Sequence, residues 1–185
     1  MWQKIKTTLY HGTISEIEKI DVSLGRDKKD FGKGFYLAVS KKQAIGMMHK
    51  KYKEASKRRT KKNTQSEIKE YLYEIKLNKD ILKELNIKVF EEIDIEWLDF
   101  VLKCRKEGGI PHDYDLVIGG TADDDTALCL KAYFDGMYGK IDSIEAKRIL
   151  LRNLETENLG IQYYIGKQEV ADKLIEGIKE IEWRK

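Results

Sequence analysis

Two glycines one residue apart, Gly32 and Gly34, stand immediately before the apolar run Phe35-Tyr36-Leu37-Ala38-Val39. Dinucleotide-binding and P-loop folds put their glycines after a strand, where they open a helix. Here they come before a strand, so this motif argues against both. Glycines this close to a strand mean that something approaches the backbone. Tyr36 offers a flat apolar face with a polar tip, suited to stacking on an aromatic ring.

The remaining pattern is not a βαβ alternation. Thr7–His11 reads as a first strand, rich in β-formers. Ser15–Ser23 reads as a short helix or turn, and Gly34–Val39 as the second strand. Ser40 is an N-cap for a helix over Lys41–Ala55, with Ala44, Met48, Tyr52 and Ala55 on one face. Tyr71–Leu77 and Ile87–Phe90 read as strands. Ile95–Cys104 reads as an amphipathic helix with Trp97, Phe100 and Val101 inward, closed by Gly108 and Gly109. Tyr114–Ile118 is a buried-type strand. Helices follow over Thr126–Phe134 and Ile144–Leu154, the second with Asp142 and Glu145 as a capping box. A strand at Ile161–Ile165, a helix at Val170–Ile178 and a strand at Glu180–Trp183 complete the chain. This order predicts an α+β fold with a split, mostly antiparallel β-sheet core and flanking helices.

The 185 residues suit one domain, residues 1–185, and 41% apolar residues supply its core. No apolar run reaches the roughly 18 residues that a membrane span needs. The N-terminal stretch MWQKIKTTLYHGT lacks the apolar segment of a signal peptide. Cys104 and Cys129 are too few for a disulfide framework. A soluble cytoplasmic protein without membrane contact is expected. Residues 49–63 carry eight Lys or Arg against one Glu, so the rest of a chain of net charge +3 is acidic. A basic helix or loop at about 49–65 attracts polyanions or is simply a solvated face. His49 and His112 lack metal-ligand spacing with the cysteines, and no metal site is expected. Trp2 and Trp183 have no evident place in the pattern.

Three short stretches stand together: His11-Gly12-Thr13 at the end of the first strand, Gly32-Lys33-Gly34-Phe35-Tyr36, and Gln162-Tyr163-Tyr164 on the late strand. They resemble the His-Tyr-Glu motifs of the ADP-ribosyltransferase superfamily, in its diphtheria-toxin and poly(ADP-ribose) polymerase branch. The chain is also similar to a bacterial family of transferase-like domains with an HGT start, a DFGKGFYL strand, an ADD stretch and a late Gln-Tyr. The resemblance implies NAD as co-substrate. It gives His11 a bond to the adenosine-side ribose, Gly12 a backbone contact with the nicotinamide carboxamide, and Thr13 a place beside it. Tyr36 would stack on the nicotinamide. Gly34 and Phe35 would line the close approach of the dinucleotide. The implied reaction breaks the nicotinamide–ribose bond through a cation-like state, as in glycoside cleavage.

Two positions depart from the family pattern. Gln162 stands where the triad has glutamate; it can hold a ribose hydroxyl but carries no charge. Met47 stands where a second stacking tyrosine is expected, eleven residues after Tyr36, and offers sulfur contacts instead. Asp123, Asp124 and Asp125 follow the buried strand and open a helix, where one aspartate is a cap. By the family's ADD stretch, Asp124 is the candidate for a catalytic carboxylate. The leading expectation is a mono-ADP-ribosyltransferase acting on an intracellular protein or nucleic acid, in a bacterial toxin or effector role, with room for a neutralising partner protein. The alternatives are a catalytically impaired NAD- or ADP-ribose-binding module, and a nucleic-acid-binding domain using residues 49–63.

Overall fold

The structure, a computed structural model, describes residues 5–62, 67–121, 124–154 and 160–183. Its centre is one seven-stranded sheet. The strands are β1 (Thr8–Thr13), β2 (Phe35–Ala38), β3 (Tyr71–Leu77), β4 (Ile87–Val89), β5 (Leu116–Gly120), β6 (Ile161–Ile165) and β7 (Ile175–Glu180). Their order is β4-β5-β6-β2-β1-β3-β7. Each neighbouring pair is antiparallel except β4 and β5. The helices are α1 (Lys41–Lys62), α2 (Ile95–Glu107), α3 (Asp124–Phe134), α4 (Ile144–Asn153) and α5 (Gln168–Leu174). The expected α+β class with a mostly antiparallel sheet is therefore present.

Alternation along the strands sorts the core onto two faces. On one face Leu9, Leu37, Ile75 and Tyr163 pack with Val22 and with Val170 and Leu174 of α5. On the other, Val117 and Tyr164 pack with Phe31, Trp97 of α2 and Leu150 of α4. Ala38 and Leu72 of that second face meet Ala44 and Met48 of α1. No helix among the described residues is long and apolar enough to cross a membrane.

Several boundaries differ from the sequence expectation. Helix α1 continues past Ala55 to Lys62; Ser40 caps it as expected, its Oγ accepting from the Gln43 N–H. Strand β5 lies two residues later than expected, because Gly119 and Gly120 pass under bulky neighbours. A Cβ at Gly119 would sit 3.1 Å from the Phe31 ring, and one at Gly120 2.7 Å from Ile93. The last helix stops at Leu174 and Ile175–Glu180 is a strand on β3; Ile175 and Ile178 suit that extended edge better than a helix. Beyond it the expected strand at Glu180–Trp183 is absent: Ile181 donates its N–H to the Leu72 carbonyl and packs with Trp183 against Ala44 and Met48. Ser143, not Asp142, caps α4, its Oγ accepting from the Ala146 N–H. Asp142 instead adopts φ 68° and donates its N–H to the Tyr133 hydroxyl. Trp2 lies outside the described residues, and Trp183 packs edge-on to His49. Cys104 is buried and Cys129 half-buried, both free thiols; burial pushes the Cys104 thiol up to about 12.

The segment from Gly25 to Gly34 carries no regular structure and is held by side chains. Asp27 accepts the Gly109 N–H at 2.6 Å, and Lys33 donates its N–H to the Gly109 carbonyl at 2.6 Å. Gly25 lies so close to Gly34 that a Cβ on it would fall 2.3 Å from the Gly34 carbonyl oxygen. Gly32 turns the chain at φ +98°, a conformation that L side chains rarely adopt. The central fastening is Asp30. Its Oδ1 accepts from Arg105 Nε at 3.0 Å and from a second guanidinium nitrogen at 2.5 Å, while its Oδ2 accepts from Gln162 Nε2 at 2.8 Å. Asp30 is 5% exposed.

Removing one partner of a buried ion pair leaves a charge without compensation. We expect Asp30→Ala to lower unfolding free energy by about 3 kcal/mol or more in urea titrations. Adding Arg105→Met should recover part of that loss. Equal loss in the single and double variants would count against the pair as the fastening.

Candidate functional site

The site forms where β1 and β2 come apart. These neighbours share one paired register, Tyr10 with Ala38, whereas β1 and β3 share six and β2 and β6 share four. Beyond Tyr10 the strands diverge, and the His11 side chain spans the opening. His11 Nδ1 lies 2.7 Å from the Tyr36 carbonyl oxygen. A carbonyl only accepts, so Nδ1 carries the proton and Nε2 keeps a lone pair. The ring stacks on Phe35 with centroids 4.6 Å apart. Burial, and then the charge of Lys51, lower the His11 pKa to about 3, against the opposing effect of the Tyr36 bond. The imidazole is neutral at pH 7.

Glycine is required at position 12 by packing. A Cβ would fall 2.0 Å from the Ala44 carbonyl oxygen of α1, so only glycine lets the helix rest on the strand. Its peptide groups also face the opening. Leu72, opposite Gly12 on β3, turns its carbonyl to Ile181 on the far side, so Gly12 directs its N–H and C=O toward β2. The ammonium of Lys51, from α1, donates to that Gly12 carbonyl at 2.8 Å. Burial holds Lys51 down to about 8, helped by the nearby charges of Arg26 and Lys29 and opposed by Glu54. Thr13 is buried, and its Oγ1 accepts from the Ser15 N–H at 3.2 Å in a local turn.

Tyr36 faces the opposite side of the sheet from His11, over the second core. Its hydroxyl donates to the Gly32 carbonyl at 2.7 Å and accepts from the Phe31 N–H at 3.0 Å. Its ring lies against Tyr164, with centroids 5.1 Å apart, and Phe31. Burial, then the Asp30 charge, raise the phenol well above its usual range. Gly34 lets the chain pass over Tyr164; a Cβ there would sit 2.6 Å from the ring and 2.5 Å from the Ile165 carbonyl oxygen. Gln162 is on the Tyr36 side as well, paired in register with Ala38 and Gly119. Its Nε2 also donates to the Gly120 carbonyl at 3.3 Å. Met47 is 46% exposed on α1, one turn before Lys51 on the same flank. Asp124 is the first residue of α3, but its side chain and all of Asp123 lie outside the described residues.

The structure thus brings His11, Gly12, Phe35 and the Tyr36 carbonyl together at the opening, and Tyr36, Gln162 and Gly34 behind it on the other face. Asp30, Arg105 and Lys51 belong to the same place and carry no role in the sequence reading. Asp30 is the first residue of the glycine stretch, and Lys51 is hidden among the eight cations of residues 49–63. That basic block lies on α1, where Lys53, Lys57 and Arg58 are exposed; Asn63 is outside the described residues. The Asp30–Gln162 bond also calls for an amide at position 162. A carboxylate at position 162 would meet Asp30 Oδ2 at hydrogen-bond distance, and one of the two would have to take up a proton.

Residues 7–175 match the model of a family described as "Protein of unknown function (DUF3990)". The chain belongs to this family. No curated protein and no solved structure matches it. The DUF3990 match begins one residue before β1 and ends on the first residue of β7, so it contains His11, Asp30, Tyr36, Lys51 and Gln162.

His11 supplies a pH test of the site. A histidine with a depressed folded pKa gives its full stability above its unfolded value, near 6.5, and loses it as pH falls toward about 3. Urea midpoints should therefore fall through that window in the native chain. His11→Asn keeps a donor for the Tyr36 carbonyl and should flatten the profile by up to about one proton. Profiles that coincide would remove the buried neutral imidazole from the account.

Proposed function

We propose that this DUF3990 chain is an NAD-dependent mono-ADP-ribosyltransferase, with its site at the β1–β2 opening and an intracellular protein or nucleic acid as acceptor. A toxin or effector role in a bacterial cytoplasm fits a small transferase of this kind. The observation that carries the reading is the His11 bridge to Tyr36. Two residues far apart in sequence, singled out by separate motifs, meet across the unpaired stretch of the sheet.

Each residue then has a task that its surroundings permit. His11 keeps Nε2 as an acceptor, suited to a ribose hydroxyl. Gly12 directs a peptide donor and acceptor to one place, the pattern a carboxamide needs. Met47 covers a ring from α1. When the nicotinamide–ribose bond breaks, the electron pair leaves with nicotinamide and positive charge develops on the sugar, which the acceptor's nucleophile then attacks. The nearest described negative charge behind Gln162 is Asp30, already balanced by Arg105. That balance favours slow single transfer over repeated addition.

One observation favours a second reading. The Gln162 amide is occupied by Asp30 and the Gly120 carbonyl, which suits a module that binds NAD or ADP-ribose without turnover.

Incubation with labelled NAD and a cell lysate, alongside measurement of released nicotinamide, separates the two. A transferase labels an acceptor, and His11→Ala lowers the rate by about 100-fold, as expected when a substrate is mispositioned. Gln162→Glu should not raise the rate, because the new carboxylate faces Asp30; Asp30→Asn with Gln162→Glu removes that conflict and should raise it. NAD binding by calorimetry with no nicotinamide released supports the binding module. Neither binding nor release sinks both readings.

A further inference from the structure

Cations of the loop and of α1 meet near Gly12: Lys51 rests on its carbonyl, Arg26 and Lys29 act on Lys51, and Lys50 and Arg105 act on Lys29. Arg26 and Lys29 come from the loop between Gly25 and Asp30, Lys50 and Lys51 from α1, and Arg105 from α2. The loop is pinned from behind: Gly25 is pressed on Gly34, Asp27 holds the Gly109 N–H, and Asp30 holds Arg105 and Gln162. The Asp30 carboxylate thus points inward while Asp27 lies at the surface on Gly109, and Arg26 and Lys29 act toward α1. Arg26 reaches across to Glu54 of α1 at 3.7 Å. Glu54 lies three residues after Lys51, so loop and helix meet over the Lys51 ammonium. The charges of Arg26 and Lys29 both act on Lys51, and that of Lys50 acts on Lys29. Glu54 is the carboxylate that opposes them at Lys51. A dense cationic site, part desolvated and held by a fixed loop, is suited to a compact anion of more than one charge.

The Lys51 ammonium meanwhile rests on the Gly12 carbonyl. In the reading of the site given above, on which this inference rests, that carbonyl is the acceptor for the carboxamide. One cation therefore occupies an acceptor that a ligand needs, next to a place where an anion would draw it away.

We propose that Lys51, Arg26 and Lys29 bind the diphosphate of a dinucleotide, and that this binding moves Lys51 off the Gly12 carbonyl and opens it to the carboxamide. Lys51 is a positioning residue that couples the two halves of the donor. The diphosphate half is admitted first, and the nicotinamide half finds its acceptor only once the first is in place. The two sites are then linked by a coupling free energy that is the same whichever ligand binds first.

The test measures binding of inorganic pyrophosphate, ADP-ribose and nicotinamide to the full chain by calorimetry. Pyrophosphate and ADP-ribose should bind the native chain and lose at least tenfold in affinity in Lys51→Met and in Arg26→Gln/Lys29→Gln. The second variant changes exposed loop residues, so it carries the test if Lys51→Met does not fold. Nicotinamide should bind the native chain several-fold more tightly with pyrophosphate present, and bind Lys51→Met tightly without it. Pyrophosphate binding that both variants retain would overturn the site, and nicotinamide affinity indifferent to pyrophosphate would overturn the coupling. A short single-stranded oligonucleotide that binds through these residues while pyrophosphate does not would assign the cations to a nucleic-acid backbone and overturn the diphosphate. Lys51-dependent pyrophosphate binding in a chain that releases no nicotinamide from NAD would keep this site and remove the transferase reading.

Discussion

The hydrogen-bonded ion pair of Asp30 with Arg105 is the contact on which the rest of the site stands. A ten-residue segment without regular structure must cross the sheet in a fixed path before β2 begins. Its own apolar content is Phe31, one ring in the second core. The carboxylate of Asp30 supplies what the segment lacks, because it ties the loop to α2 through Arg105 and to β6 through Gln162. A charge this deep is tolerated because both of its oxygens are satisfied. The same bonds decide the chemistry that position 162 can have. An amide there donates to Asp30, and a carboxylate would not. The glutamine is thus part of the fastening of the loop, and its identity follows from Asp30.

Neutral groups sit where charge would be expensive. The imidazole of His11 is enclosed by Phe35 and sits near the Lys51 ammonium, so a proton on Nε2 would be both desolvated and repelled. The phenol of Tyr36 is tied at both its donor and its acceptor. The opening between β1 and β2 therefore presents lone pairs and peptide groups, with positive charge at its rim. That combination is suited to polar uncharged ligand parts inside and anionic parts outside.

Much of the fold was legible because strand and helix periods are local. Tyr71–Leu77 and Ile161–Ile165 have the bounds their β-branched and aromatic residues predict. The misread ends have tertiary causes. Gly119 and Gly120 look like a strand end in sequence, yet they continue β5 because Phe31 and Ile93 need the space. Ile175–Glu180 continues directly from a helix in sequence, yet its isoleucines pair along the edge of β3. Within the site, only motif order joins His11 to Tyr36 in the sequence. Which face of the sheet each side chain takes depends on strand pairing, and that pairing turns the two opposite ways and links them through a carbonyl. Asp30 and Lys51 were not legible at all. One looked like ordinary loop polarity and the other like one more cation in a basic helix, and only their partners distinguish them.

The seven strands amount to two plates, β4-β5-β6-β2 and β1-β3-β7, sharing a single rung at Tyr10 and Ala38. A sheet joined this way has a pivot. Thr13, at the mouth of the opening, is three residues beyond the rung, or about 10 Å along the strand. A rotation of one plate by about 5° at the pivot moves the mouth by about 1 Å, a lever arm set by strand geometry alone. The His11–Tyr36 bond lies one residue past the pivot, where the same rotation hardly stretches it. With so little ladder between the plates, what holds the gape of the rim is the loop, α1 and the first core, which packs residues of both plates together.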